Sequence, residues 1–206
     1  MIDHHFRQIL PKFVTPILKI YKKLNLTPNH VTILGLGTAL VASAAIASKL
    51  FIIGITLWWI SRLFDGTDGI YARQEKMTSH FGAYLDFVTD MAAYGAMVIG
   101  FKIAMPEFDF LWTLILFLYI LCSVSALVFG NMEASLGIDQ KDNRGLRLGA
   151  GLAEAGETGI AYTVFAIFNQ AMLPWICLWV FILSFTVASR TFLAYKLQMK
   201  HQATES

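Results

Sequence analysis

Asp65-Gly66-Thr67-Asp68-Gly69-Ile70-Tyr71-Ala72-Arg73, followed eight residues later by Gly82-Ala83-Tyr84-Leu85-Asp86-Phe87-Val88-Thr89-Asp90, puts four carboxylates on two neighbouring apolar segments. Those segments, about 51–72 and about 82–104, have the length of membrane-spanning helices, for which about 20 mainly apolar residues are needed. Asp65 and Asp68 are three residues apart and Asp86 and Asp90 four apart, so on α-helices each pair projects from a single face. The 74–81 connection is short enough to make the two helices antiparallel neighbours, and all four carboxylates can then meet at one end of the pair.

The rest of the chain fits a membrane setting. Of its 206 residues, 56% are hydrophobic and 15% charged, against about 25% charged in a soluble domain. The mean hydropathy is +0.58. This excludes an ordinary cytosolic enzyme, a disordered chain and a disulfide scaffold. Cys122 and Cys177 lie inside apolar runs and read as small buried hydrophobes rather than a bridge. The net charge of +2 is too small to suggest nucleic acid as a partner. The N-terminus mixes charged and apolar residues and lacks a small-residue cleavage site, so no signal peptide is expected.

The fold class expected is all-α: a polytopic membrane protein with six transmembrane helices preceded by an N-terminal amphipathic interfacial helix. Residues 1–27 form the amphipathic helix and linker, with Ile9, Leu10, Phe13, Ile17, Leu18 and Tyr21 at helical spacing between basic residues. Residues 28–197 form the membrane domain and 198–206 a polar tail. Thr27 is a good N-cap with Pro28 at the first helical position. The first span is expected at about 30–48, the fourth at about 109–132, the fifth at about 149–171 and the sixth at about 174–195. Twelve lysines and arginines fall in the termini and in the 73–81 and 135–148 loops, against Lys49 and Lys102 on the other side. Both termini and the aspartate end of the helix pair are therefore expected in the cytoplasm. Trp58, Trp59, Trp112, Trp175 and Trp179 read as interface belts and lipid-facing packing.

Ionisable groups inside spans are costly and mark function by default. Four carboxylates together repel one another unless cations sit between them, and Arg62 and Arg73 can offset two at most. An all-oxygen donor set suits Mg²⁺ or Mn²⁺. Two such ions about 3.5–4 Å apart would form a clamp for displacement at phosphorus.

The pattern D-x2-D-G-x2-A-R-x8-G-x3-D-x3-D resembles the signature of the CDP-alcohol phosphatidyltransferase family, matched by Asp65, Asp68, Gly69, Ala72, Arg73, Gly82, Asp86 and Asp90. The resemblance implies two metal ions, Mg²⁺ or Mn²⁺, bridged by Asp65 and Asp86, with Asp68 on one ion and Asp90 on the other. It also implies Asp90 as general base. Gly69, Arg73 and Ser79 would hold the CDP moiety of a donor lipid, together with Asn29 and Thr32 from the start of the first span. An acceptor hydroxyl would attack the phosphorus nearer the lipid and CMP would leave, in phospholipid biosynthesis at an inner or cell membrane of bacterial type. A homodimer is implied by the resemblance alone.

The acceptor is less legible. Glu154 and Glu157 share a face of the fifth span, and Arg190 lies in the sixth. They either line an acceptor pocket or pair with each other or with Arg62 as buried salt bridges. The glutamates suit hydroxyls or an ammonium group, whereas Arg144, Arg147 and Arg190 suit a phosphate. Two other functions use intramembrane aspartates. A membrane prenyltransferase carries them in two separate motifs on a longer chain, and a divalent-cation transporter places them near the midplane between repeated halves. No repeat is visible in this chain.

Overall fold

The structure, a computed structural model, describes residues 14–136 and 155–205. All described elements are helical. Helix α1 is described over 14–23, followed by α2 (Pro28–Ala47), α3 (Phe51–Gln74), α4 (His80–Ala104), α5 (Asp109–Ser135), α6 (Ala155–Ile167) and α7 (Met172–Glu205). Short 3-10 turns precede α5 and α7. Four of these stretches are long and apolar enough to cross a membrane: Pro28–Ala47, His80–Ala104, Pro106–Ser135 and Asn169–Met199. Helix α3 has the length, at 24 residues, but carries Arg62, Asp65, Asp68 and Arg73. Helix α6 is described over 13 residues, and the part of the fifth span expected at 149–154 lies outside the described residues.

Local sequence explains the breaks. Thr27 caps α2: its hydroxyl accepts from the His30 amide, and His30 Nδ1 accepts from the Thr27 amide. Pro28, which has no amide hydrogen to lose, starts the helix. Asn25, Lys49 and Lys76 take left-handed backbone conformations (φ 52°, 61° and 57°) and turn the chain after α1, α2 and α3. Helix α7 runs 34 residues, about 50 Å at 1.5 Å per residue, so the polar tail expected after 197 continues the last helix to Glu205.

The chain divides into two units, residues 1–100 and 101–206. In the first, α2 packs closely on α3 and α4. Ser61 Oγ donates to Gly35 O at 2.8 Å and Ser43 Oγ to Ala96 O at 2.5 Å. Gly100 lies against the Ser43 backbone so tightly that a Cβ there would come within 2.6 Å of Ser43 O. Small residues let membrane helices approach backbone to backbone, where van der Waals contact and interhelical hydrogen bonds supply the attraction. Val14, Leu18 and Tyr21 of α1 are buried with Val31 and Tyr71, so this part of the amphipathic face is covered by the chain itself. Lys19, Ile20, Lys22 and Lys23 remain outside.

The second unit is built around Phe101, Trp112, Tyr162 and Phe165, whose ring centroids lie 5.5–6.4 Å apart in the contacting pairs. Trp58 and Trp112 are fully buried and Trp179 nearly so, which places them in the interior of their units and not on a lipid-facing surface; Trp59 is exposed. Cys122 and Cys177 are both free thiols, and Cys177 is exposed instead of buried.

Gly100→Ala forces a methyl group into the Ser43 backbone. Overpacking of this kind costs about 1–3 kcal/mol, so the variant should melt measurably lower than wild type in detergent. An unchanged melting temperature would contradict the close approach of α2 and α4.

Candidate active site

Asp65 and Asp68 lie on the last turns of α3, and Asp86 and Asp90 on the first turns of α4. The turn between these helices brings the two pairs together. The four carboxyl groups are near enough to act on one another electrostatically, Asp90 and Asp86 on Asp65, Asp86 on Asp68 and Asp90 on Asp86. Burial differs across the quartet. Asp68 is 4% exposed, the Asp65 and Asp90 side chains are each 21% exposed, and Asp86 is open. The site thus has a deep side and an open side.

Each deep group has its own support. Thr32 Oγ1 donates to Asp68 Oδ2 at 2.5 Å, and the Gly69 amide donates to the same carboxylate. Arg62, one helical turn before Asp65, puts Nη1 2.6 Å from Asp90 Oδ1 and 3.5 Å from Asp65 Oδ2. Its guanidinium lies over the Trp58 ring at 4.5 Å and near the Tyr94 ring at 5.3 Å. Among the described residues no three His, Cys, Asp or Glu side chains are gathered tightly enough to hold an ion as they stand. Arg62 takes up one oxygen of Asp90, and like charges without further cations hold apart.

The donor set fits divalent cations. It is made of oxygen atoms alone, and Arg62 and Arg73 offset half of its charge. Asp65, Asp68, Asp86 and Asp90 are the residues that would hold the ions.

Around this quartet the expected nucleotide-side residues fall into two places. Asn29, Ser79 and Gly82 meet: Ser79 Oγ accepts from the Gly82 amide at 2.9 Å, and a Cβ on Gly82 would lie 3.1 Å from Ser79 Oγ and 3.4 Å from Asn29 Oδ1. Arg73 folds back over Gly69, where a Cβ would stand 3.3 Å from its Nη1. Thr32, also expected on the nucleotide side, donates to Asp68. Glu157 opens α6 and Arg190 is buried on α7, both in the second unit. Arg190 Nη1 donates to Cys122 O at 2.7 Å and Ser125 Oγ at 2.9 Å, which ties α7 to α5. Glu154, Arg144 and Arg147 lie outside the described residues.

Sequence reasoning missed the brace from α1. Thr67, between the first two aspartates, donates its hydroxyl to Leu63 O at 2.7 Å and accepts from the Tyr21 phenol at 3.0 Å. Burial holds the Tyr21 phenol above its usual pKa, Thr67 opposes this, and the Asp68 charge adds to the rise. The phenol therefore stays protonated and donates. Tyr71 donates to Leu26 O at 3.0 Å, and Lys22 pairs with Glu75 at 3.0 Å. The signal available in the sequence was the helical spacing of Leu18 and Tyr21, which showed a buried face but not its partner.

The description "CDP-alcohol phosphatidyltransferase" matches the chain over residues 25–187. The chain belongs to the CDP-alcohol phosphatidyltransferase family. It is a transferase of phospholipid biosynthesis that moves a substituted phosphate group from a CDP-alcohol to a hydroxyl and releases CMP, in a family dependent on divalent metal. It is 27% identical over 173 residues to the inner membrane protein YnjF of Escherichia coli, covering 82% of each chain. It is 29% identical over 168 residues to a phosphatidylinositol phosphate synthase of Mycobacteroides abscessus, covering 79% of this chain and 72% of that one. The fold is similar to the crystal structure of Mycobacterium tuberculosis phosphatidylinositol phosphate synthase with CDP-DAG bound. The TM-score is 0.66 at 24% identity, over 89% of this chain and 94% of that one. The same mycobacterial protein in complex with manganese and citrate matches with a TM-score of 0.64 at 24% identity, over 88% of each chain. Membership and the apolar helices make this phosphatidyltransferase an integral membrane protein.

Tyr21→Phe deletes the hydrogen bond that ties α1 to the aspartate-bearing turn of α3. Loss of one buried hydrogen bond costs about 1 kcal/mol, and the melting temperature in detergent should fall accordingly. A variant as stable as wild type would mean that Thr67 has no need of the phenol.

Proposed function

We propose that this phosphatidyltransferase takes CDP-diacylglycerol as donor and transfers the phosphatidyl group to the hydroxyl of a phosphorylated polyol, at two divalent cations held by Asp65, Asp68, Asp86 and Asp90. The observation that carries the reading is the convergence of four carboxylates from α3 and α4 with Arg62 and Arg73 as their counter-charges. Bound Mg²⁺ or Mn²⁺ supplies a charge clamp for the phosphoryl oxygens. Asp65 and Asp86 would be shared by both ions, with Asp68 a ligand of one and Asp90 of the other. Asp90 accepts the proton of the acceptor hydroxyl as a carboxylate positioned on α4.

Arg73 binds the diphosphate, its planar fork matching two phosphoryl oxygens. Gly69 keeps the turn beneath it free of a side chain, and Asn29 and Ser79, which meet at Gly82, hold the nucleotide. Thr32 acts by aiming Asp68. A phosphorylated polyol as acceptor is supported by relatives named phosphatidylinositol phosphate synthases, among them that of Mycobacterium tuberculosis H37Rv, 39% identical over 97 residues. Glu157 and Arg190 remain the candidates for an acceptor role in the second unit. In the membrane, α3 and α6 complete six spans with the four apolar stretches. Helix α1 lies at the cytoplasmic interface, and both termini and the aspartates face the cytoplasm, as the distribution of basic residues supports.

The test is CMP release by purified protein with CDP-diacylglycerol and a panel of inositol phosphate, glycerol phosphate, inositol and serine. EDTA should abolish release, and added Mn²⁺ or Mg²⁺ should restore it. One of the phosphorylated acceptors should be used, whereas turnover with serine or free inositol alone would overturn that assignment. Asp90→Asn should lose at least about 100-fold in rate, the lower range for loss of a general base, with its melting temperature retained. Full activity in that variant would remove Asp90 as base.

A further inference from the structure

Arg62 is the cation that the family signature does not require. It sits outside the pattern, one turn before Asp65, with its side chain 9% exposed. Here Nη1 is shared between Asp90 at 2.6 Å and Asp65 at 3.5 Å, Nη2 reaches Ser61 Oγ at 3.2 Å, and Nε is buried with no hydrogen-bond partner among the described residues. The Trp58 and Tyr94 rings hold the guanidinium plane at the edge of the carboxylates. A charge in that position does the work of a metal ion, in that it screens two carboxylates from each other. It also repels any cation arriving beside Asp90.

We infer that Arg62 is a resident counter-cation of the quartet: it holds Asp90 and Asp65 together while the site lacks metal, and it yields Asp90 when a divalent cation binds. This rests on the proposed metal site and adds a positioning residue to it. The aromatic platform formed by Trp58 and Tyr94 gives the displaced guanidinium a place to remain within reach, so that Asp90 is recovered when the metal leaves.

The test uses the full chain in detergent, stripped of metal, with Mn²⁺ as probe and free Mn²⁺ followed by electron paramagnetic resonance. Arg62→Met keeps the aliphatic stem and removes the charge. It should bind Mn²⁺ roughly tenfold more tightly than wild type, because a repelling charge inside the cage is gone. Without metal it should melt on the order of 5 °C lower, and saturating Mn²⁺ should bring it back to the wild-type value. Arg62→Lys should stay close to wild type in both readings. Equal destabilisation of Arg62→Met with and without Mn²⁺, or unchanged or weaker Mn²⁺ binding, would overturn the inference and leave the metal site standing. Absence of Mn²⁺ binding in wild type would overturn both. If Arg62→Met does not fold, wild type still decides. Mg²⁺ should then change the tryptophan fluorescence as Arg62 shifts on Trp58, and Trp58→Phe should abolish that change. A wild-type signal indifferent to Mg²⁺ would overturn the inference.

Discussion

Four carboxylates brought to one end of two neighbouring apolar helices, near enough to act on one another electrostatically, are the constraint around which the first unit is built. Coulomb repulsion between carboxylates grows as water is excluded, and the protein answers it with groups placed one by one. Arg62 spans Asp90 and Asp65, Thr32 and the Gly69 amide support Asp68, and Arg73 faces Asp86. Asp86 stands on the open side of the group. An all-oxygen cluster of this charge suits divalent cations, which would offset the repulsion between its members.

The helices behind the site keep these groups from drifting apart. Helix α2 approaches α3 and α4 through small residues and hydroxyl-to-carbonyl hydrogen bonds, so the three backbones are locked where side chains are short. Helix α1 reaches across to Thr67 and through Leu26 to Tyr71, gripping α3 on either side of Asp68. The aspartates are thus aimed by contacts that carry none of the chemistry themselves. This division of labour, in which rigid elements hold the reacting groups, suits catalysis that depends on positioned charge.

Much of this was legible in the sequence, and for identifiable reasons. Thr27-Pro28 announced the start of α2 because capping is a local property of a few residues. The 3- and 4-residue spacings of the aspartates announced a shared face because helical periodicity is local too. Asn29 and Ser79, 50 positions apart, were each linked to a nucleotide by family resemblance, and no local rule announced that they stand together at Gly82. What stayed hidden was tertiary choice. Leu18 and Tyr21 marked an apolar face that membrane or protein could cover, and the chain covers it with Val31 and Tyr71. Trp58 and Trp112 read as interface residues by composition, yet packing takes them fully inside. Arg62 was visible as a buried charge, but its partner depended on which helix face turned towards it. Arg190 was grouped with a possible substrate pocket, and its guanidinium reaches the α5 backbone.

Crystals grown with Mn²⁺ and measured at the manganese absorption edge test the central claim most directly. The account predicts anomalous density between α3 and α4, in contact with carboxylate oxygens of Asp65, Asp68, Asp86 and Asp90. Manganese density elsewhere in the chain, with the four carboxylates separated and no ion among them, would contradict it.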